Sequence, residues 1–145
     1  MKDRKTAHLY AFMLALAMTG FVIGFGLPVV QAVSDIHNYD VPIRDSIFPW
    51  IIGGWMKLQT TSYSDGDNLG TVDASATATS NWPLTIEVTG DSVTFVDDNT
   101  KLAKGYYTAI VWLIWPIIPI QTAYFILHTE VQYWGDGFDY STWWS

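Results

Sequence analysis

The chain has 145 residues, half of them hydrophobic and 16% aromatic, with eight tryptophans, a net charge of −7 and no cysteine. An acidic balance with no basic patch beyond Lys2, Arg4 and Lys5 excludes nucleic acid as a partner, because phosphates demand Lys and Arg. The missing cysteines exclude disulfides, thiolate metal sites, iron–sulfur clusters and a Cys nucleophile.

Residues 1–5 form a short basic start. Residues 6–34 carry no formal charge and are rich in Leu, Ala, Met, Phe and Val. Their length predicts a first transmembrane helix, read as an uncleaved signal-anchor. The rival reading is a cleaved signal peptide, with Pro28 as breaker and Val30 and Ala32 as the small-residue site. Gly20 and Gly24 stand four apart and predict a face that another helix could approach closely.

Residues 35–104 predict an external domain. Residues 47–56, IFPWIIGGWM, are apolar but too short to span a membrane, and Pro49, Gly53 and Gly54 disfavour a helix. They predict an interfacial segment. Residues 57–80 are rich in Thr, Ser, Asp, Gly and Ala and predict loop with short extended pieces. Residues 84–96 alternate apolar and polar side chains on either side of Gly90–Asp91, which predicts a β-hairpin with a two-residue turn.

Residues 105–129, GYYTAIVWLIWPIIPIQTAYFILHT, form a second uncharged run of about 25 residues, the length of a helix across a bilayer. Tyr106 and Tyr107 stand at one rim, Tyr133 and Trp134 near the other. Pro116 and Pro119 predict a kink in that helix, with Trp112, Trp115, Pro116 and Pro119 on a docking side for a partner. An alternative lets the two prolines turn the run into a re-entrant hairpin. Residues 130–145 form an acidic, aromatic tail in which Trp143 and Trp144 are further candidate contacts. The basic start predicts an inside N-terminus, with 35–104 outside a bacterial or archaeal cytoplasmic membrane.

Candidate chemistry is sparse. His128, at the end of the second run, could hold haem iron or chlorophyll magnesium. His37 and Asp40 could contribute to a copper or zinc site, although only one His is local. Asp65, Asp67, Gly70 and Asp73 follow a calcium-loop spacing in part, without the terminal Glu that such a loop needs. The fold class expected is therefore an α-helical membrane protein with a small external β element. The function expected is a non-catalytic accessory subunit of an energy-converting membrane complex, whose partners are other membrane subunits and the lipid bilayer. Two alternatives are a cofactor-holding subunit using His128 and a structural membrane protein of a virus or cell envelope.

Overall fold

A computed structural model describes residues 32–44 and 52–145, and among them there is no helix. Seven strands follow in chain order: β1 (Val33–Arg44), β2 (Ile52–Ser64), β3 (Leu69–Ser80), β4 (Leu84–Asp97), β5 (Thr100–Ile114), β6 (Ile118–Tyr133) and β7 (Phe138–Trp144). They make two sheets, β1-β2-β3 and β4-β5-β6-β7, in which every strand lies beside its neighbour in sequence. The pairings of β2 with β3, and of β4 through β7 in turn, are antiparallel. Ser34–Ser145 forms one unit. The helix expected over 6–34, with Gly20 and Gly24, lies outside the described residues except at its end, where Val33 and Ser34 already belong to β1.

The transmembrane helix expected over 105–129 is not formed. Gly105–Ile114 lies in β5, residues 115–117 form a turn, and Ile118–Thr129 lies in β6. Two strands and a turn add up to the residue count of one membrane helix. Ile, Val, Thr, Tyr and Trp dominate the run and suit a pleated strand. Pro116, which cannot continue a helix, sits in the turn. The α-helical membrane fold is thus corrected to an all-β one. No helix of the described residues is long and apolar enough to cross a membrane, which does not bear on crossing by strands. The accessory membrane subunit, the cofactor-holding subunit and the envelope membrane protein all rested on the helical spans, and those readings fall with them.

Three smaller expectations change too. Residues 84–96 are one strand, β4, paired along its length with β5, and the expected turn at Gly90 is a register shift between Val88 and Gly90. Gly90 has φ of +154°, which suits an irregularity of this kind. Residues 57–80 lie mostly in β2 and β3 rather than in loops. Of the interfacial segment 47–56, Ile52–Met56 opens β2 and residues 47–51 lie outside the described residues.

Alternation along β2 shows how the sheets face each other. Met56, Leu58, Thr60, Ser62 and Ser64 are buried, while Trp55, Gln59 and Tyr63 are exposed. Met56 and Leu58 meet Ala103, Tyr107 and Leu127 in one apolar cluster, flanked by Tyr39, Val41, Ile43, Ala74, Ala76, Ala78, Ile86 and Phe125. A second cluster joins Leu69, Val72, Val131 and Tyr133. Along β6, Thr129 falls between Leu127 of the first cluster and Val131 of the second. Thr60, Ser62 and Thr129 are fully buried, and the hydroxyls of Thr60 and Thr129 have no hydrogen-bond partner.

Tyr107 ties the two sheets together. It leans back along β5 over Gly105, and its hydroxyl donates to the carbonyl of Lys57 on β2. A Cβ at position 105 would come within 2.8 Å of the Tyr107 hydroxyl and 3.2 Å of Ala76. Gly105 therefore leaves the space that the ring fills. Side chains stitch the sheet margins. Asp91 on β4 accepts from the backbone N–H of Ala76 on β3 (3.2 Å), and Ser80 on β3 accepts from that of Ile86 on β4 (3.1 Å). On the other margin, Tyr140 of β7 donates to Asp35 of β1 (2.9 Å) and stacks on His37 at 4.2 Å.

Two substitutions test this packing by urea denaturation. Gly105→Ala displaces the Tyr107 ring and is expected to cost about 1–3 kcal/mol, as overpacking does. Thr129→Val removes a buried hydroxyl without a partner and is expected to raise stability by about 1 kcal/mol.

Candidate interaction surface

The two ends of the sandwich differ in chemistry. At one end lie the turns β2–β3, β4–β5 and β6–β7, with Asp65, Asp67, Asp97, Asp98 and Asp136. Asp65 accepts from the N–H groups of Asp67 and Asn68, each at 2.9 Å, which holds its carboxyl below the usual carboxylate range. Asp97 likewise accepts from the N–H of Asn99 at 2.8 Å. These carboxylates therefore act as turn formers. The partial calcium spacing is spent on this turn and on β3, which begins at Leu69.

The other end holds the β3–β4 connection, Asn81–Pro83, and the β5–β6 turn, residues 115–117. The Trp112 N–H donates to the Pro83 carbonyl (2.9 Å) and draws the two together, while the Asn81 N–H ties the connection to Gly53 of β2 (2.8 Å). Beyond Trp112 the hairpin carries Leu113, Trp115, Ile117 and Ile120, which are 58–73% exposed, and Trp82 nearby is 70% exposed. Pro116 and Pro119 are exposed as well. Pro119 has no N–H to offer β5, and around it the register shifts between Val111 and Trp112 and again before Ile114. No charged residue occurs from Gly105 to Thr129.

The residues singled out in the sequence divide between this end and other places. Trp115, Pro116 and Pro119 are part of it, on a hairpin instead of a kinked helix. Trp112 is half-buried, and its indole N–H donates to the Thr85 hydroxyl at 2.8 Å, so it braces the base of the projecting hairpin. Trp143 stacks on His128 at 4.9 Å with the rings nearly parallel. Trp144 meets Phe125 edge-on at 5.9 Å. Both tryptophans therefore pack on their own sheet while keeping about half their surface exposed.

His128 is half-buried against its own chain. One ring nitrogen, Nε2, lies 3.2 Å from the Ser145 hydroxyl, and Trp143 covers a face. The other nitrogen, Nδ1, is buried without a hydrogen-bond partner. His37 and Asp40 are three apart on β1, so the strand's alternation sends them to opposite faces. His37 stacks on Tyr140, while Asp40 lies in a shallow polar hollow with Asn38, Lys57, Gln59, Ser75 and Thr77. Among the described residues no group of three or more His, Cys, Asp or Glu could hold a metal ion.

Sequence reading missed Trp82, Leu113, Ile117, Ile118, Ile120 and Tyr124, the other large exposed side chains on or beside the hairpin. The available signal was two prolines in the middle of a run rich in β-branched residues, which favours turn and strands over a helix. No family model matches the chain, and neither a curated protein nor a solved structure does so.

Burial, and to a lesser degree Lys104, lowers the His128 pKa below its ordinary 6.5. The unfolded chain then binds more protons than the folded one just below pH 6.5. This group's contribution to stability is complete above that pH and is lost as pH falls through the folded value. His128→Gln is expected to shrink the loss of urea midpoint between about pH 7.5 and about pH 5 relative to the parent chain.

Proposed function

We propose that this chain is a non-catalytic contact module, a rigid β-sandwich that holds an uncharged hairpin out to a macromolecular surface. The observation that carries the reading is the exposed row Leu113, Trp115, Ile117 and Ile120, with Trp82 beside it. A folded chain rarely leaves large apolar side chains clustered in water unless they serve contact. The tip runs past the last β4 pairing, Leu84↔Val111, and is flanked by neither outer strand, an arrangement suited to insertion or docking rather than to enclosing a small substrate.

The exposed tip side chains contribute little to the core, so they can be changed without unfolding the sandwich. A triple variant, Trp115→Ser, Ile117→Ser and Ile120→Ser, is expected to keep its melting midpoint and to lose most of its binding of the apolar dye anilinonaphthalene sulfonate. Dye binding equal to that of the parent chain would place the contact surface elsewhere and overturn the reading.

A further inference from the structure

The tip of the β5–β6 hairpin is set by where its neighbours stop. The last β4 pairing is Leu84↔Val111, and opposite Val111 on β6 stands Gln121. Strand β7 reaches no further along β6 than Ile126, which exchanges backbone hydrogen bonds with Ser145 at 2.9 and 3.0 Å. Trp112–Ile120 therefore runs past both outer strands by roughly 10 Å at the rise of a strand.

The chemistry of this stretch is narrow. Between Trp112 and Gln121 the side chains are Leu, Ile, Trp and Pro alone, so the indole N–H of Trp115 is the only side-chain hydrogen-bonding group there. No charge occurs from Gly105 to Thr129, nor from Ala74 to Ile86, the stretch that holds Trp82 beside the tip. Backbone donors are thinned as well. Pro83, Pro116 and Pro119 have no N–H, and the N–H of Trp112 is already given to the Pro83 carbonyl.

This narrowness separates the partners that an apolar surface can have. Interfaces between proteins carry about one hydrogen bond per 100–200 Å² and a polar rim. The tip has almost nothing to bond with. Hydrocarbon offers neither donor nor acceptor, penalises each unpaired polar group placed in it, and moulds to any shape. An uncharged point with few free N–H groups, and with Trp82 and Trp112 at its base, suits that medium. A second copy of the chain is disfavoured by the net charge of −7.

Resting on the contact-module reading, we infer that the occupant is one leaflet of a lipid bilayer. Leu113, Trp115, Ile117 and Ile120 enter its outer layer to a depth of about 5–10 Å, and Trp82 lies among the headgroups. The tip crosses nothing, and the sandwich stays in water. Asp65, Asp67, Asp97, Asp98 and Asp136 lie at the opposite end, away from the headgroups. With its acidic balance, the chain selects a zwitterionic surface over an anionic one.

The test is a depth measurement on the 145-residue chain, which has no cysteine of its own. Ile117→Cys, labelled with nitrobenzoxadiazole, is mixed with phosphatidylcholine vesicles. The label is expected to brighten severalfold, shift to the blue and be quenched by brominated phosphatidylcholine. A label on Asp136→Cys is expected to do none of these. Adding anionic phosphatidylglycerol is expected to weaken the response. If Ile117→Cys fails to fold, Leu113→Cys asks the same question. A chain that co-sediments with vesicles while the tip label stays unquenched binds through another segment and overturns the inference. A label already blue-shifted without vesicles also overturns it: a shift that grows with protein concentration assigns the tip to a second copy, and one that does not assigns it to cover by the chain itself. In each of these cases dye binding by the Trp115, Ile117 and Ile120 triple variant decides separately whether the contact-module reading stands.

Discussion

The pairing of β5 with β6 is the constraint on which the sandwich depends. These two strands are the inner pair of the four-stranded sheet, matched from Thr100↔Gln132 to Ile114↔Ile118. Their inner face supplies Ala103, Tyr107 and Leu127 to one apolar cluster and Val131 and Tyr133 to the other. Tyr107 then reaches across to the Lys57 carbonyl and fixes the sheets against each other. Burial, with the charges of Asp91 and Asp40, raises the Tyr107 pKa well above the ordinary phenol range, which keeps the hydroxyl protonated and able to donate. Gly105 makes this possible by its lack of a side chain. A single residue pair on one strand thus couples local backbone space to the contact between sheets.

The same hairpin extends past the core, and its chemistry changes along its length. Near Thr100 it is flanked by charged turns, in the middle one face is buried, and at Leu113 and Trp115–Ile120 it is apolar and exposed. Trp112 marks the boundary, bonded through its indole N–H to Thr85 and through its backbone N–H to Pro83. The projecting part is therefore braced at its base by β4 and by the β3–β4 connection. That bracing explains how an apolar tip can be held outward instead of collapsing on the sheet. Tyr140 plays a matching part on the opposite margin. Burial and its bond to Asp35 raise its pKa to about 12, so the β1–β7 tie persists through neutral pH.

Sequence reading located the organising stretch but assigned it the wrong geometry. An uncharged run from Gly105 to Thr129 satisfies the length rule for a membrane helix and equally the sum of two strands and a turn. Hydrophobicity alone does not separate them; the two prolines and the β-branched residues do. The alternation of residues 84–96 marked them as extended but put a turn at Gly90–Asp91, where β4 runs on as one strand; its partner β5 was not legible, because register between distant segments has no local signature. β2 and β3 were hidden by composition. Thr60, Ser62 and Thr129 occupy interior positions that a hydrophobicity pattern marks as surface. Of the candidate contacts, Trp115, Pro116 and Pro119 lie on the exposed tip of a hairpin, not on the side of a kinked helix. His37 and Asp40 look adjacent in sequence but lie on opposite faces of a strand, a distinction that a loop assignment erases.

One measurement distinguishes hairpin from helix most directly. Thr108 and Tyr124 are Cα partners on β5 and β6, at a position where the two strands do not exchange backbone hydrogen bonds. Side chains at such a pair are close enough for a disulfide. In a continuous helix the same residues would stand about 24 Å apart. The chain has no cysteine of its own, so Thr108→Cys with Tyr124→Cys reports on this pair alone. The hairpin predicts rapid intramolecular cross-linking under mild oxidation, with the melting midpoint maintained or raised. A double variant that folds but keeps both thiols free would contradict the hairpin, and with it the sandwich and the surface it presents.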